Sequence, residues 1–267
     1  MAHIIYPEFF TYCWSMDYFC HDIRRMRSIY SESIVKPFEN PEKSADCMRE
    51  KVWQNPEAYL EFPFDDGDHI DDYYCSVEAC AFREYMILTN MQYRTRILWI
   101  CCIFEMWEQN LSFHMLQDLS NSRFPMTEAQ KNNLFNGFCT FQSIFSSEMF
   151  DCSENKCILT DFPRYEELRE LHLLVNAAKH GRGKSLERLY KDFGKYKISD
   201  TNAFHMFDGT TIYSPTLNIT DDDFNRFCDV LTDFCTWIPA HILITNIDAF
   251  NAKVLGMSRK TGGQDEV

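Results

Sequence analysis

The chain has 267 residues, 45% of them hydrophobic, and its 40 acidic against 26 basic side chains leave a formal charge of −14. An apolar fraction of that size, with 23 Phe and 13 Tyr, excludes a disordered chain, and the acidic excess excludes an extended DNA-binding surface. Nine Gly and nine Pro are too few for a sandwich or barrel that must turn every few residues.

The predicted elements begin with a helix over Glu8–Val35. Cys13, Met16, Cys20, Ile23, Met26, Tyr30 and Ile34 recur there at three- and four-residue steps, and Pro37 and Pro41 end it. Residues 42–68 read as irregular or as a short helix closing in the acidic turn Pro63 to Gly67. A second long helix is predicted from Ile70 to Leu119, with a break weighed near Asn90. No Pro or Gly lies between Gly67 and Pro125, and the stretch from Ile97 to Phe104 is apolar nearly all round.

Thr127 to Gln130 reads as a capping box opening a third helix through Leu134, Phe138, Phe141, Phe145 and Met149. Pro163 opens a fourth that Gly181 stops, and Ser185 caps a fifth from Leu186 to Phe193. Phe204 to Tyr213, with Asp208-Gly209 at its centre, has the pattern of a small β-hairpin. Thr220 to Asp223 caps a last helix through Phe224, Phe227, Leu231, Phe234 and Ile238. The expectation is an all-α long-helix bundle with a small β-hairpin insertion. It forms one domain over residues 1–255, with 1–68 as its N-terminal helix and irregular connection, and residues 256–267 as a disordered tail.

Twelve cysteines raise the question of compartment. The N-terminus carries no basic segment followed by an apolar one, so reduced thiols and a cytoplasmic location are expected. Most cysteines sit in apolar runs, where the thiol acts as a small hydrophobe. No CxxC pair occurs and no His is spaced to complete a zinc set, so neither metal nor cofactor is expected. The longest apolar run is far short of a bilayer span, so no membrane association is expected.

One stripe has the residue types for chemistry. At about 100° per residue, Leu171, Leu174, Val175 and Ala178 gather on one side of the fourth helix. Arg169, His172, Asn176 and His180 gather on an adjoining side, with Lys179 at the boundary, and Gly181-Arg182-Gly183-Lys184 follows directly. Histidine exchanges protons near neutral pH, asparagine orients a ring or bonds a ribose, and Arg or Lys offsets phosphate charge. The plainer alternative is that every amphipathic helix has a polar face, and cations favour its C-terminal end. Glu105, between Phe104 and Trp107, needs a partner if buried. Arg94, Arg96, Lys179 and His180 are the candidates, and the pair would be either a site orienter or a structural bridge.

The run Asn176-Ala-Ala-Lys179-His180-Gly181, at the end of a helix containing Glu-Leu-Arg169-Glu-Leu, resembles the signature region of HEPN-like proteins (higher eukaryotes and prokaryotes nucleotide-binding), bacterial members in particular. The helix Tyr93 to Leu111, with its embedded Glu105, strengthens the likeness. The resemblance implies a helical bundle that pairs as a homodimer and binds RNA or a nucleotide. In many members it also implies metal-independent RNA cleavage in stress or phage defence. The family's active motif is an Arg, four to six residues of which the first is usually polar, then His. Asn176 matches the polar position and His180 the terminal His, whereas the Arg position falls on Val175. By that resemblance His180, Asn176, Arg169 and Lys179 are the candidate catalytic residues, and Arg182, Lys184, Glu105 and His172 the candidate binding residues. Three readings follow: an HEPN-type ribonuclease or toxin-like effector, a non-catalytic binding domain, and an oligomerisation module whose stripe is a dimer seam.

Overall fold

Segments free of Pro and Gly become the long helices of this protein. The computed structural model describes residues 8–9, 13–60, 70–121, 150–151, 162–181, 183–197, 217–237 and 242–244. Among them six α-helices pack together: α1 (Cys13–Ile29), α2 (Pro41–Gln54), α3 (Ile70–Asn121), α4 (Tyr165–His180), α5 (Lys184–Asp192) and α6 (Asp221–Trp237). Strand segments β1 (Glu8–Phe9), β2 (Phe150–Asp151) and β3 (Ile242–Ile244) form a small antiparallel ribbon in the order β1-β3-β2. The bundle is all-α in character, as expected. The predicted third helix, the Phe204–Tyr213 hairpin and the C-terminal tail lie outside the described residues.

The second long helix forms as expected, without the break weighed near Asn90: α3 runs unbroken for 52 residues, about 78 Å at 1.5 Å per residue. It packs at two separate places. Near its start, Val77 and Ala81 bury against Ala45 and Val52 of α2, with Arg49 reaching Glu78 at 2.6 and 3.0 Å. Further on, Ile97, Ile100, Ile103, Phe104, Trp107 and Leu111 enter the main core. Between these zones, from Phe82 to Arg96, no residue is buried. The stretch predicted as irregular or a short helix is the 14-residue α2, which Pro41 at its first position pre-organises.

The first helix begins later than its periodicity suggests, because Glu8 and Phe9 pair with Ile242 and Leu243 instead. α1 ends in a π-helical turn, Tyr30–Ile34, closed by Val35 N–H donating to the Tyr30 carbonyl at 3.0 Å. The Tyr30 hydroxyl then donates to Asp221 at 2.6 Å, tying that end of α1 to the start of α6. α6 is capped reciprocally. The Thr220 hydroxyl accepts the Asp223 N–H at 3.2 Å while Asp223 accepts the Thr220 N–H at 3.0 Å.

The core joins α1, α3, α4 and α6 through aromatic rings. Trp107, fully buried, meets Phe234 edge-on at 5.2 Å, and Phe234 meets Phe162 in the same way at 5.2 Å. No described helix is long and apolar enough to cross a membrane. Replacing Trp107 with Ala leaves a large cavity at this junction, and a loss of about 3–5 kcal/mol is expected. Urea unfolding followed by circular dichroism measures it.

Candidate functional site

Helix α4 carries the candidate residues, and its rotation decides what each one meets. Leu168, Leu171, Leu173, Leu174, Val175, Ala177 and Ala178 are all buried, so the apolar arc is wider than the predicted cluster of four. His172 and Asn176 are half-buried, and Lys179 and His180 are exposed. The arc left for polar groups is therefore narrow and faces the seam with α3.

Along that seam, Asn176 Nδ2 lies 2.7 Å from His172 Nε2, and the His172 ring sits 6.0 Å from Phe104. With the amide donating, the neutral ring keeps its own proton on Nδ1. Burial, helped by the charge of Lys179, pulls His172 down to about 4. It is therefore a neutral hydrogen-bond acceptor at physiological pH and a poor general base there. Lys179 meets Glu105 at 2.8 Å, which makes it the partner among those foreseen for that carboxylate. Both side chains are partly exposed, so this bridge is a light tether.

Arg169 leaves this group. Its guanidinium binds Glu166 at 2.9 Å and Asp192 at 2.8 Å and lies over the Phe193 ring at 5.1 Å, clamping α5 to α4. It cannot stand in for the motif arginine while so engaged. Nor is the motif position itself open: Val175 is 1% exposed and packs in the core. His180 ends α4, and Gly181 follows with φ 66°, a conformation only glycine adopts readily. Lys184 is exposed at the first position of α5, and Arg182 lies outside the described residues. The structure thus brings His172, Asn176, Lys179 and Glu105 together, leaves His180 and Lys184 exposed beyond them, and sends Arg169 elsewhere.

A second polar constellation lies on the opposite side of α4, and it was not foreseen. Glu170 is 4% exposed. Arg226 grips it with both terminal nitrogens, at 3.0 and 2.7 Å, Lys195 Nζ approaches at 2.8 Å, and the Tyr196 hydroxyl donates to it. Arg226 also reaches Glu167 at 3.1 Å and Asp223 at 3.2 Å, and Arg164 links Glu167 to Asp233. Burial and the adjacent Glu170 carboxylate push the Tyr196 phenol far up, so it remains a donor. The signal was present in the periodicity: at about 100° per residue Glu170 falls between Leu174 and Ala177, inside the buried arc. Both oxygens of Glu170 are held by protein donors, which makes this a structural lock.

Among the described residues, no group of three His, Cys, Asp or Glu side chains is arranged to hold a metal ion. No family model, no curated protein and no solved structure matches the chain.

Glu170→Ala leaves the buried Tyr196 hydroxyl without its acceptor while Arg226 keeps Glu167 and Asp223, and a loss of about 1–3 kcal/mol is expected. Arg169→Ala, at a partly exposed clamp, leaves the unfolding midpoint almost unchanged, and urea titration of both variants separates the two roles. Acid acts through His172. Between the unfolded value of about 6.5 and its folded value of about 4, the unfolded chain takes up a proton that the folded one refuses. Stability is therefore lost as pH is lowered through that window, by at most about 1.4 kcal/mol per pH unit. The depressed carboxyls of Asp221, Asp223 and Glu167 add their loss only at more acidic pH. Thermal melts of wild type and His172→Asn from pH 7 to 4 isolate the histidine's share.

Proposed function

We propose that this protein is a non-catalytic HEPN-like module that binds an RNA end or nucleotide at the exposed end of α4. The observation that carries the reading is the burial of Val175: the position that holds the phosphate-activating arginine in the family motif faces the core. Arg169 is held by Glu166 and Asp192, and Lys179 is tethered to Glu105. His180 is then an exposed imidazole with no guanidinium supplied by either of those positions. An exposed His180 and Lys184 on either side of the Gly181 turn support capture of an anionic group in a chain that is otherwise acidic. His172 and Asn176 form the floor of this face and hold α4 against Phe104. The pairing of two protomers that the family resemblance implies belongs to the same proposal.

The test uses fluorescently labelled single-stranded RNA with the full chain in EDTA, at low salt. Binding by anisotropy is expected to weaken as salt rises, and to weaken at least several-fold in Lys184→Glu and His180→Ala. Gel analysis of the same samples is expected to show intact RNA throughout. Cleavage by wild type that His180→Ala abolishes would make the protein a ribonuclease instead. Absence of binding in the folded wild type would discard the nucleic-acid reading altogether.

A further inference from the structure

Helices α1 and α6 run antiparallel, and two contacts give their register. Arg27 of α1 donates to Asn225 of α6 at 2.9 Å, and to Asp229 at 2.7 Å. Two turns back along α1, the Cys20 thiol lies 3.8 Å from the Thr232 carbonyl, two turns forward along α6. That register places Cys235, on the next turn of α6, beside Cys20. Both are buried, at 5% and 6% exposure, and Trp107 of α3 lies beside them.

We propose that Cys20 and Cys235 form a redox modification site, at which hydrogen peroxide drives a disulfide that joins α1 to α6. A cleft of about 490 Å³ opens between these helices on the solvent side of the pair. Ile23, Arg24 and Thr232 line it; neither thiol does, so peroxide must pass between Ile23 and Thr232 to reach the Cys20 thiol behind them. Peroxide is small enough to enter where a bulky disulfide is not.

The Cys20 sulfur, as thiolate, attacks one peroxide oxygen. The O–O bond breaks, and the departing hydroxide takes up the thiol proton and leaves as water. Cys20 is then a sulfenic acid. The Cys235 sulfur attacks the Cys20 sulfur, the S–O bond breaks, and the second hydroxide leaves as water with the Cys235 proton. Two thiols and one peroxide become one disulfide and two waters. Cys20 is the attacking partner because the neighbouring Cys235 and the charge of Arg24 hold its thiol below the usual range. Cys228 lines the same cleft, but burial pushes its thiol up to about 12 and makes it a built-in control.

The full-length protein, reduced and then treated with equimolar peroxide, is digested without reductant and its peptides are identified by mass. A Cys20–Cys235 cross-linked peptide is expected, together with a raised unfolding temperature that reductant reverses, while Cys228 stays a free thiol. In Cys235→Ser the intermediate has no resolving thiol, and a 1,3-dione probe is expected to label Cys20. Oxidation of other cysteines while Cys20 and Cys235 remain free thiols in wild type would overturn the proposal. That result is decisive even if the variant does not fold.

Discussion

A carboxylate placed in a protein core must be surrounded by donors, and Glu170 organises this bundle through that requirement. Arg226 from α6, and Lys195 and Tyr196 from the short turn after α5, all converge on it. The rotation of α4 that brings Glu170 to those groups also buries Leu171, Leu174 and Val175. The lock therefore fixes which side chains α4 turns toward α3 and which it leaves to solvent. His172, Asn176 and Lys179 fall on the α3 seam as a consequence, and His180 falls at the open end.

The long α3 carries that arrangement to the rest of the chain. Its later half supplies Phe104 and Glu105 to the seam and Trp107 to the core, on successive faces of one continuous helix. Arg96, on the same helix, grips both oxygens of Asp221 at 2.7 and 2.9 Å and the Ile219 carbonyl at 2.9 Å. The acidic start of α6 is thus neutralised from two directions: Arg96 takes Asp221, while Lys195 and Arg226 take Asp223. Two of the three consecutive aspartates, Asp221 and Asp223, serve as anchor and as helix cap, a use in keeping with the positive end of the helix dipole.

These contacts also sort the polar residues by role. Arginines in an acidic chain are drawn to carboxylates first, and Arg27, Arg49, Arg96, Arg164, Arg169 and Arg226 all hold one. What the proposed site at the end of α4 retains is His180 and Lys184. Lysine and histidine attract an anion without the forked, two-point grip of a guanidinium. That difference is the chemical reason for favouring binding over phosphoryl activation at this site.

Much of the framework was legible in the residue pattern. The period of apolar residues and the scarcity of Pro and Gly marked α1, α3, α4 and α6, and Thr220 with Asp223 marked a cap, because helix periodicity and capping are local properties. The polar stripe of α4 was also visible, as was the likelihood that Lys179 was one of a few partners for Glu105. What the pattern alone could not decide was the pairing. Arg169 and His180 share a side of the helix, yet Asp192 and Phe193 draw Arg169 away. Glu170 read as one more surface acid until α6 brought Arg226 to it. By itself the amino-acid order determined the helices and their apolar faces, since each depends on neighbours within a few turns. Only the tertiary structure decided which charges meet and which thiols face each other, because those partners are brought together across tens to hundreds of residues by the packing of the core.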